Sequence, residues 1–378
     1  MESLSLQPFL QSLHKEQWQE VRLGEVAKQI VSGGTPKSTQ AEYYNGNIPW
    51  LNTKEVKNCR IYATERQITE LGLCNSSARW IDKNSVIVAM YGATAGKVAI
   101  NKIPLTTNQA CCNISVDSEK ANYNFIYYTL LDSFDRLDQM TSGAAQQNLN
   151  VGLISNFTFL LPPLTIQQKI AEILSSFDDK IDLLHRQNKT LESLALTLFR
   201  HYFIDNPKRD EWELGKLGDF CKVKKGKSIT QKSAIQGIYP VVAGGIEPAY
   251  YHNECNTQSP VVTISASGAN AGFVNIYYCP IWSSDSSYID KTITPYVYFF
   301  YLFLKHHQNI LYDKQEGSAQ PHIYPSHIMD LEIPHYPTKL TQNFEVEVEA
   351  YFEKISHNTK QIENLQAMRD VLLKAIFA

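Results

Sequence analysis

The sequence predicts an α+β fold of two globular domains in an internal pseudo-twofold repeat, separated by two long helices that form an antiparallel coiled coil. Three observations predict this architecture. Short motifs occur twice in the same order, each half closes on a long run with helical periodicity, and the rest of the chain alternates short β-rich runs with Gly, Asn, Thr and Pro. The 378 residues are enough for two domains of ordinary size.

The repeated motifs keep their order in both halves. Each half opens on a tryptophan followed by a Leu-Gly pair, continues through a hydrophobic strand into a glycine-rich turn, and reaches a Gly-Ala/Ser-Ala-Gln element. The pairs are Trp18/Leu23-Gly24 and Trp212/Leu217-Gly218, Gly92–Gly96 and Gly268–Gly272, and Gly143–Gln146 and Gly317–Gln320. Residues 35–85 have almost no recognisable counterpart in residues 228–260, which indicates one scaffold that reads two different things. A pseudo-twofold protein fits a twofold partner, and duplex DNA is the commonest one.

Local patterns place the strands and the shorter helices. The expected strands are Ile48–Leu51, Ser85–Met90 and Val98–Ile100 in the first half, and Val261–Ser265 and Phe273–Tyr277 in the second. Shorter helices are expected at Asn122–Asp138 and Pro295–His307. Each half is therefore mixed α+β, with more strands than helices.

Two longer helices are expected at residues 165–203 and 338–377. Pro162 and Pro163 prevent an earlier start of the first helix, and Thr165 followed by Gln168 fits a capping box. At the standard rise each helix would be roughly 57 Å long, which is more than its own domain can cover. We therefore expect the two helices to pair with each other and not to pack back onto their own domains.

Both long helices carry an apolar stripe with roughly heptad rhythm, interrupted by Asn188 and Thr359, and polar residues at such positions often fix register. The residues expected at the helix contact are Ile181, Leu184, Leu191, Leu198, Phe352, Ile355 and Ile362. The expected organisation is a first domain at 1–160, a central helix at 161–205, a linker at 206–210, a second domain at 211–332 and a C-terminal helix at 333–378.

Composition excludes some classes of protein. The 35 basic and 38 acidic residues give a net charge of −3, which is unlike a wholly basic nucleic-acid binder, although a contact face needs only a local patch. One such patch surrounds Gly226 and consists of Lys222, Lys224, Lys225, Lys227 and Lys232. The seven cysteines and ten histidines have no zinc-ligand spacing, so we expect no metal site and a reducing, cytoplasmic location. The most apolar run, Val297–Leu304, is too short to cross a membrane.

No catalytic motif is complete. Gly92–Val98 is similar to a phosphate-binding loop, but it has three residues between its glycines where that loop needs four, and it ends on Val98 where that loop needs Ser or Thr. The chain also lacks the Asn/Asp-Pro-Pro-Tyr/Phe run with which amino-methylating DNA methyltransferases hold a flipped base. These failures together favour a binding protein over an enzyme, with no catalytic residue.

The combined pattern resembles the specificity subunit of type I restriction–modification systems over nearly the whole chain. The motifs that carry the resemblance are the openings Trp18–Glu25 and Trp212–Asp219, Ile48-Pro49-Trp50, Thr107-Asn108-Gln109, the two Gly-Ala/Ser-Ala-Gln elements, and Leu161–Leu164 followed by Gln167–Leu174. The second long helix departs from the pattern, because it opens with Ile333–Pro337 and lacks the Gln-Gln-Lys-Ile-Ala sequence.

The resemblance implies a DNA-binding subunit that catalyses nothing itself. Proteins similar to this one carry two target recognition domains, each of which reads half of a split, asymmetric DNA sequence, while the paired helices act as a ruler. The implied partners are double-stranded DNA, two methyltransferase subunits and restriction subunits, with no membrane. The resemblance implies no cofactor in this chain, because S-adenosylmethionine, ATP and Mg²⁺ would belong to the partner subunits.

Candidate DNA contacts are polar residues in the divergent segments and near the repeated glycine elements, where side chains can reach base edges or phosphates. They are Lys37, Thr39, Asn52, Lys54, Tyr91 and Gln146 in the first half, and Lys224, Lys225, Lys227, Ser267, Asn270 and Gln320 in the second. Two alternative functions stay open. One is the recognition subunit of a related restriction system that cuts on both sides of its site, and the other is a two-lobed scaffold that binds protein through its helices.

Overall fold

The structure, a computed structural model, describes residues 6–11, 13–133, 135–137, 148–317 and 320–377. Its contacts divide the chain into two compact units. Unit 1 consists of Met1–Ile181 with Glu363–Ala378, and unit 2 consists of Asp182–Ile362. Each unit therefore contains a globular part and a segment of both long helices.

Unit 1 is built around a five-stranded sheet with the strand order β2-β9-β6-β7-β4, beside a three-stranded sheet β5-β3-β8 and the pair β1-β10. The strands are β1 Gln19–Arg22, β2 Ala27–Ser32, β3 Tyr44–Leu51, β4 Cys59–Ile61, β5 Arg66–Ile68, β6 Val86–Ala89, β7 Val98–Asn101, β8 Thr106–Thr107, β9 Cys111–Val116 and β10 Thr158–Leu161. The pairs β3–β8 and β4–β7 are parallel, and the other pairs are antiparallel.

The core of unit 1 lies between the five-stranded sheet and helices. The helices are α1 Leu6–Gln11, α2 Glu70–Cys74, α3 Tyr123–Asp132 and α4 Val151–Ser155. Helix α3 begins after Asn122, whose side-chain oxygen accepts hydrogen bonds from the backbone N–H groups of Asn124 and Phe125. It runs to Asp132, residues 135–137 of the expected Asn122–Asp138 helix are helical as well, and the expected end at Asp138 lies outside the described residues.

Unit 2 repeats the plan with a four-stranded sheet β12-β18-β15-β16, a three-stranded sheet β14-β13-β17 and the pair β11-β19. Its strands are β11 Leu214–Lys216, β12 Lys224–Lys225, β13 Tyr239–Val242, β14 Tyr250–His252, β15 Val261–Ser265, β16 Val274–Tyr277, β17 Trp282–Ser283, β18 Ser286–Asp290 and β19 Glu332–Pro334. Among the described residues, four short α-helices lie between the long central helix, α5 Leu164–Phe199, and the C-terminal helix: α6 Leu217–Phe220, α7 Val297–His306, α8 Gln308–Asp313 and α9 Pro325–Met329. The strands expected from sequence are thus present in both units.

The core of unit 2 is aromatic. Helix α7 buries every residue from Val297 to Leu304, which explains why its sequence is apolar on all faces. Phe199 at the end of the central helix lies 6.0 Å from Phe344 of the C-terminal helix, α10 Thr338–Phe377, measured between ring centroids. Both helix segments therefore pack on the domain that they border.

This packing corrects the expectation that the long helices leave their own domains free. The reason is that each helix carries a second apolar face: Ala195 and Phe199 on one helix, and Phe344 and Val348 on the other, are fully buried in the core of unit 2. The expected contact residues are also covered. Ile181, Leu184, Phe352, Ile355 and Ile362 are buried, and Leu191 and Leu198 are partly buried.

The seam between the helices differs from the expected one by a single residue. In unit 2 the fully buried polar residue of the C-terminal helix is Asn358, which donates to the side-chain oxygen of Asn188, whereas Thr359 donates to the Ile355 carbonyl of its own helix. The contacts of Asn188 with Asn358 and of Phe199 with Phe344 show that the two helices run antiparallel there.

The start of the central helix also differs from the expectation. It begins at Leu164, and the Pro163 carbonyl accepts hydrogen bonds from the Ile166 and Gln167 N–H groups, so Thr165 lies inside the first turn and not before it. The expected capping box is therefore wrong. Gln167 instead receives the Asn122 N–H at its side-chain oxygen and donates its amide to the Pro162 carbonyl, which ties the helix start to helix α3.

Candidate DNA-recognition surfaces

Three strands of unit 1 end at one edge of the fold. Ser32 at the end of β2 and Ala89 at the end of β6 both pair with the first residues of β9. Leu51 at the end of β3 accepts a hydrogen bond from the Asn108 N–H at 2.9 Å, in the turn that leads into β9. The segments that follow these three strands therefore lie side by side.

Side chains join these segments into one surface of unit 1. Thr94 Oγ1 donates to the Thr53 carbonyl at 2.7 Å, and Thr35 Oγ1 donates to Gln109 Oε1. We call this surface face 1, and it comprises residues 33–40, 52–55, 91–96 and 108–110.

Face 1 contains five of the six expected DNA contacts of the first half, but they are not equally available. Lys37 and Thr39 are exposed. Asn52 is used within the protein, because its Oδ1 accepts the Lys54 N–H at 3.1 Å. The Lys54 ammonium forms a 2.6 Å ion pair with the carboxylate of Glu65, so part of its charge is neutralised.

The other two residues of that set are Tyr91 and Gln146. Tyr91 is half-buried at the start of the glycine turn, and burial raises the pKa of its phenol, so it stays a neutral hydroxyl. Gln146 lies outside the described residues. Leu149, the third residue after Gln146, donates its N–H to the Met90 carbonyl at 3.1 Å. In unit 2, Ile323, the third residue after Gln320, donates its N–H to the Ala266 carbonyl at 2.9 Å.

Unit 2 forms a corresponding surface. The Ser284 N–H donates to the Val242 carbonyl at the end of β13, and the Ser267 hydroxyl donates to the Asp285 carboxylate. The Gly268 N–H donates to the Pro321 carbonyl at 3.0 Å, which brings the segment around Gln320 against the glycine turn. We call this surface face 2, and it comprises residues 226–233, 243–245, 267–272, 284–285, 316–317 and 320–322.

The structure brings the expected residues of the second half together at face 2. Lys224 and Lys225 are exposed on β12, the edge strand that leads into the face, and the Lys227 ammonium lies 5.9 Å from the centre of the Trp282 ring. Ser267 precedes the glycine turn, Asn270 lies within it, and Gln320 is exposed beside it. Hydroxyl, amide and ammonium groups of this kind can read base edges and contact phosphates.

Both faces are built on the same backbone bonds. The Gly33 N–H donates to the Cys111 carbonyl at 3.2 Å in unit 1, and the Gly226 N–H donates to the Ser286 carbonyl at 2.8 Å in unit 2. A Cβ on either glycine would overlap a neighbouring backbone oxygen, which is why both positions require glycine. The two faces therefore share a backbone framework, which we call the shared frame, and they differ in the side chains that it carries.

The shared frame extends into the region whose two sequences show no counterpart. Strand β3 pairs in parallel with β8 in unit 1, and β13 pairs in parallel with β17 in unit 2. Residues 35–85 and 228–260 thus contain two matched strands each, because β5 and β14 also pair antiparallel with β3 and β13, although their side chains differ. The match leaves little trace in the sequence, because the strands are short and β3 and β13 share only the proline at Pro49 and Pro240.

Gln109 and Asp285 are polar residues of the faces that were missing from the expected set. Gln109 and Asp285 each accept a hydroxyl hydrogen bond at the turn before β9 or β18. Gln109 lies within one of the motifs that carried the family resemblance, but Asp285 has no such signal. Beneath face 1, burial raises the pKa of Cys112 to about 12, so its thiol packs as a neutral core residue.

The chain is similar to known proteins over most of its length. Residues 15–193 and 209–366 match a family described as the type I restriction modification DNA specificity domain. The chain belongs to this family. Among its relatives, the MjaIX specificity subunit of Methanocaldococcus jannaschii is 30% identical, with 94% of this chain and 91% of that protein covered. A putative type I specificity subunit of Mycoplasma genitalium is 23% identical over 78% of this chain and 81% of its own length.

The fold is also found in a crystal structure. The type I restriction–modification S subunit from M. genitalium superimposes with a TM-score of 0.56 and 18% identity, and 96% of each chain is covered. The expected α+β fold with two tandem domains and a long helix between them is therefore confirmed. As a specificity subunit, the chain serves in DNA recognition and not in catalysis.

Membrane-spanning helices and metal-binding clusters are both absent from the residues that the structure describes. None of the helices in this part of the chain is both long and apolar enough to span a membrane. Within the same residues, His, Cys, Asp and Glu side chains form no group of three or more that could hold a metal ion.

Proposed function

We propose that this specificity subunit recognises a bipartite, asymmetric site in double-stranded DNA, with face 1 reading one half and face 2 the other. The observation that carries the proposal is the shared frame with unlike side chains. Lys37 and Thr39 occupy the exposed loop of face 1, whereas the loop of face 2 begins with Lys227. Two faces with different hydrogen-bonding groups would select two different base sequences.

We further propose that the long helices recruit two methyltransferase subunits and set the spacing between the half-sites. The expected contact residues of the helices are occupied within the chain, so other apolar residues must serve as contacts for partners. Exposed apolar side chains on these helices are Leu183, Leu194, Val346, Met368 and Val371. Restriction subunits would join this core, and S-adenosylmethionine, ATP and Mg²⁺ would bind to the partner subunits in the cytoplasm.

Long-read mapping of modified adenines tests the proposal in cells that express the chain together with its methyltransferase partner. The expected result is one asymmetric motif of two short halves with a fixed unspecified gap. Each mismatch in a half should weaken recognition by about 1–3 kcal/mol. A stable complex that produces no new modification would favour a scaffold that binds protein alone.

A further inference from the structure

In face 1, two aromatic side chains hold the loop that follows Gly33. The indole N–H of Trp50 donates to the Gly34 carbonyl at 2.9 Å, and the Tyr44 hydroxyl donates to the Pro36 carbonyl at 2.6 Å. The two rings also pack edge to face, with centroids 6.0 Å apart. The backbone of this loop is thus fixed at two alternate carbonyls.

Face 2 holds its loop at the corresponding carbonyls. The indole N–H of Trp282 donates to the Lys227 carbonyl at 2.8 Å, and the Tyr250 hydroxyl donates to the Ile229 carbonyl at 2.7 Å. Counted from the shared glycines, Lys227 corresponds to Gly34 and Ile229 to Pro36. The amide bonds agree, because the Gly34 N–H donates to the Thr107 carbonyl and the Lys227 N–H to the Ser283 carbonyl, both at 2.9 Å.

The donors come from strands that do not correspond. Trp50 lies on β3 and pairs with Thr106 of β8, whereas Trp282 lies on β17 and pairs with Val241 of β13. The tryptophan therefore lies on one strand of the parallel pair in unit 1 and on the other strand in unit 2, while the equivalent carbonyl accepts its hydrogen bond in both units. Two unlike sequences fix the same backbone atoms, so the position of those atoms matters to both loops.

The residues that follow the fixed carbonyls are exposed, and in unit 2 the hydroxyls of Thr230 and Ser233 also hydrogen-bond with each other. Lys37–Gln40 in unit 1 and Thr230–Ser233 in unit 2 are exposed at every position. The tryptophans are only 3% and 8% exposed, so water cannot readily replace a lost carbonyl partner. Each loop thus joins a rigid, buried base to an exposed polar tip.

We propose that Trp50 with Tyr44, and Trp282 with Tyr250, are positioning residues that aim the loop tips Lys37–Gln40 and Thr230–Ser233 at base edges. The tips are then specificity determinants, and Thr230, Gln231 and Lys232 join the residues already assigned to face 2. The inference rests on the proposed function. The inference specifies the backbone carbonyls whose hydrogen bonds are needed for each half-site to be read.

The test uses the full chain in complex with its methyltransferase partner, and compares the wild type with Trp50→Phe and Trp282→Phe. Phenylalanine keeps an aromatic ring and removes the N–H donor. Methylation of sites with one mismatch should rise roughly fivefold or more relative to the cognate site, in one half only, because misplaced contacts lose discrimination. The two variants should affect opposite halves.

Trp18→Phe is the matched control, because the Trp18 indole N–H donates to the Leu13 carbonyl at 3.0 Å within unit 1 but outside face 1. This variant should leave the motif unchanged. If a tryptophan variant fails to accumulate, Tyr44→Phe and Tyr250→Phe carry the test, since each removes one hydroxyl from a half-buried ring.

With the wild-type motif bipartite, an unchanged motif in the face variants would overturn this inference alone. An even loss of methylation at cognate and mismatched sites would also overturn it, because a merely structural bond acts in that way. A wild-type complex whose motif is not bipartite would instead defeat the proposed function.

Discussion

Asn358 of the C-terminal helix donates its side-chain amide to Asn188 of the central helix at 2.8 Å, and to Gln187 at 2.9 Å, within unit 2. Asn358 is fully buried, yet its own side-chain oxygen has no hydrogen-bond partner among the described residues. A buried polar pair with one unmet acceptor costs stability, but it favours one register of the helices over others.

Replacing both asparagines by leucine should therefore stabilise the protein. We expect Asn188→Leu combined with Asn358→Leu to raise the free energy of unfolding by about 1 kcal/mol, because the unmet acceptor and its desolvation disappear together. Denaturant unfolding of the full chain measures this. A large loss of stability in the double variant would show that the polar pair is a net stabiliser.

A second polar link joins the long helices within unit 1. The Arg369 guanidinium lies 2.7 Å from the Asp178 carboxylate, whose other oxygen accepts the Tyr128 hydroxyl at 2.6 Å. Asp178→Asn should cost about 3–5 kcal/mol of unfolding free energy, because it removes the buried charge partner of a largely buried arginine and leaves only the exposed carboxylate of Asp370. The control is Asp370→Asn: Asp370 binds the same arginine at 2.8 Å but its side chain is 56% exposed, so it should cost less than about 1 kcal/mol. Equal losses in the two variants would contradict this account.

Glu345 gives unit 2 a specific dependence of stability on pH. Its carboxylate accepts the N–H groups of Tyr298 and Phe299 at the start of helix α7, and burial raises its pKa to about 7. Because the folded pKa lies above the unfolded one, this contribution to stability is complete below about pH 4.5 and is lost as the pH rises through about 7. The full shift corresponds to about 3 kcal/mol.

The measurement is the free energy of unfolding between pH 4.5 and pH 8 for the wild type and Glu345→Gln. The variant cannot titrate at this position, so its stability should fall less over that range than the stability of the wild type. Identical pH profiles would mean that the pKa of Glu345 is the same in the folded and the unfolded protein, so that its backbone bonds offset its burial.

The lysines at the entry to face 2 should act through charge. We expect Lys224→Ala and Lys225→Ala each to lower the slope of log K against log salt concentration for DNA binding by about 1, because each removes one phosphate contact. The recognised motif should stay the same, and Lys189→Ala, an exposed lysine on the central helix, should not change the slope. A changed motif would indicate base contacts instead.

The sequence predicted the features that depend on local pattern. The strands around Val86–Ala89 and Val261–Ser265 and the paired glycine turns were correct, because Gly92 and Gly268 have φ of 86° and 76°, which side chains rarely allow. Features that depend on the path of the chain could not be predicted. Lys54 is a candidate DNA contact by sequence, but the fold places its ammonium beside the carboxylate of Glu65.

Two further differences have equally physical causes. A heptad pattern locates a seam only to within a residue. It therefore predicts Thr359 at the seam, whereas Asn358 is the residue that is buried there. The tryptophan bonds of the two faces could not be found by aligning the halves, because Trp50 and Trp282 occupy strands that do not correspond. Equivalent backbone atoms that are hydrogen-bonded by non-equivalent side chains cannot be recognised from the repeated sequence motifs.

In the proposed function, two faces read two half-sites at a spacing that the long helices set. Removing one heptad from both long helices, within unit 2, and mapping the modified adenines tests this spacing. Seven residues correspond to roughly 10.5 Å of helix, or about three base pairs. We predict that the gap in the motif changes by about three base pairs while both half-sites stay the same. An unchanged gap, or altered half-sites, in a complex that still methylates DNA would contradict the claim.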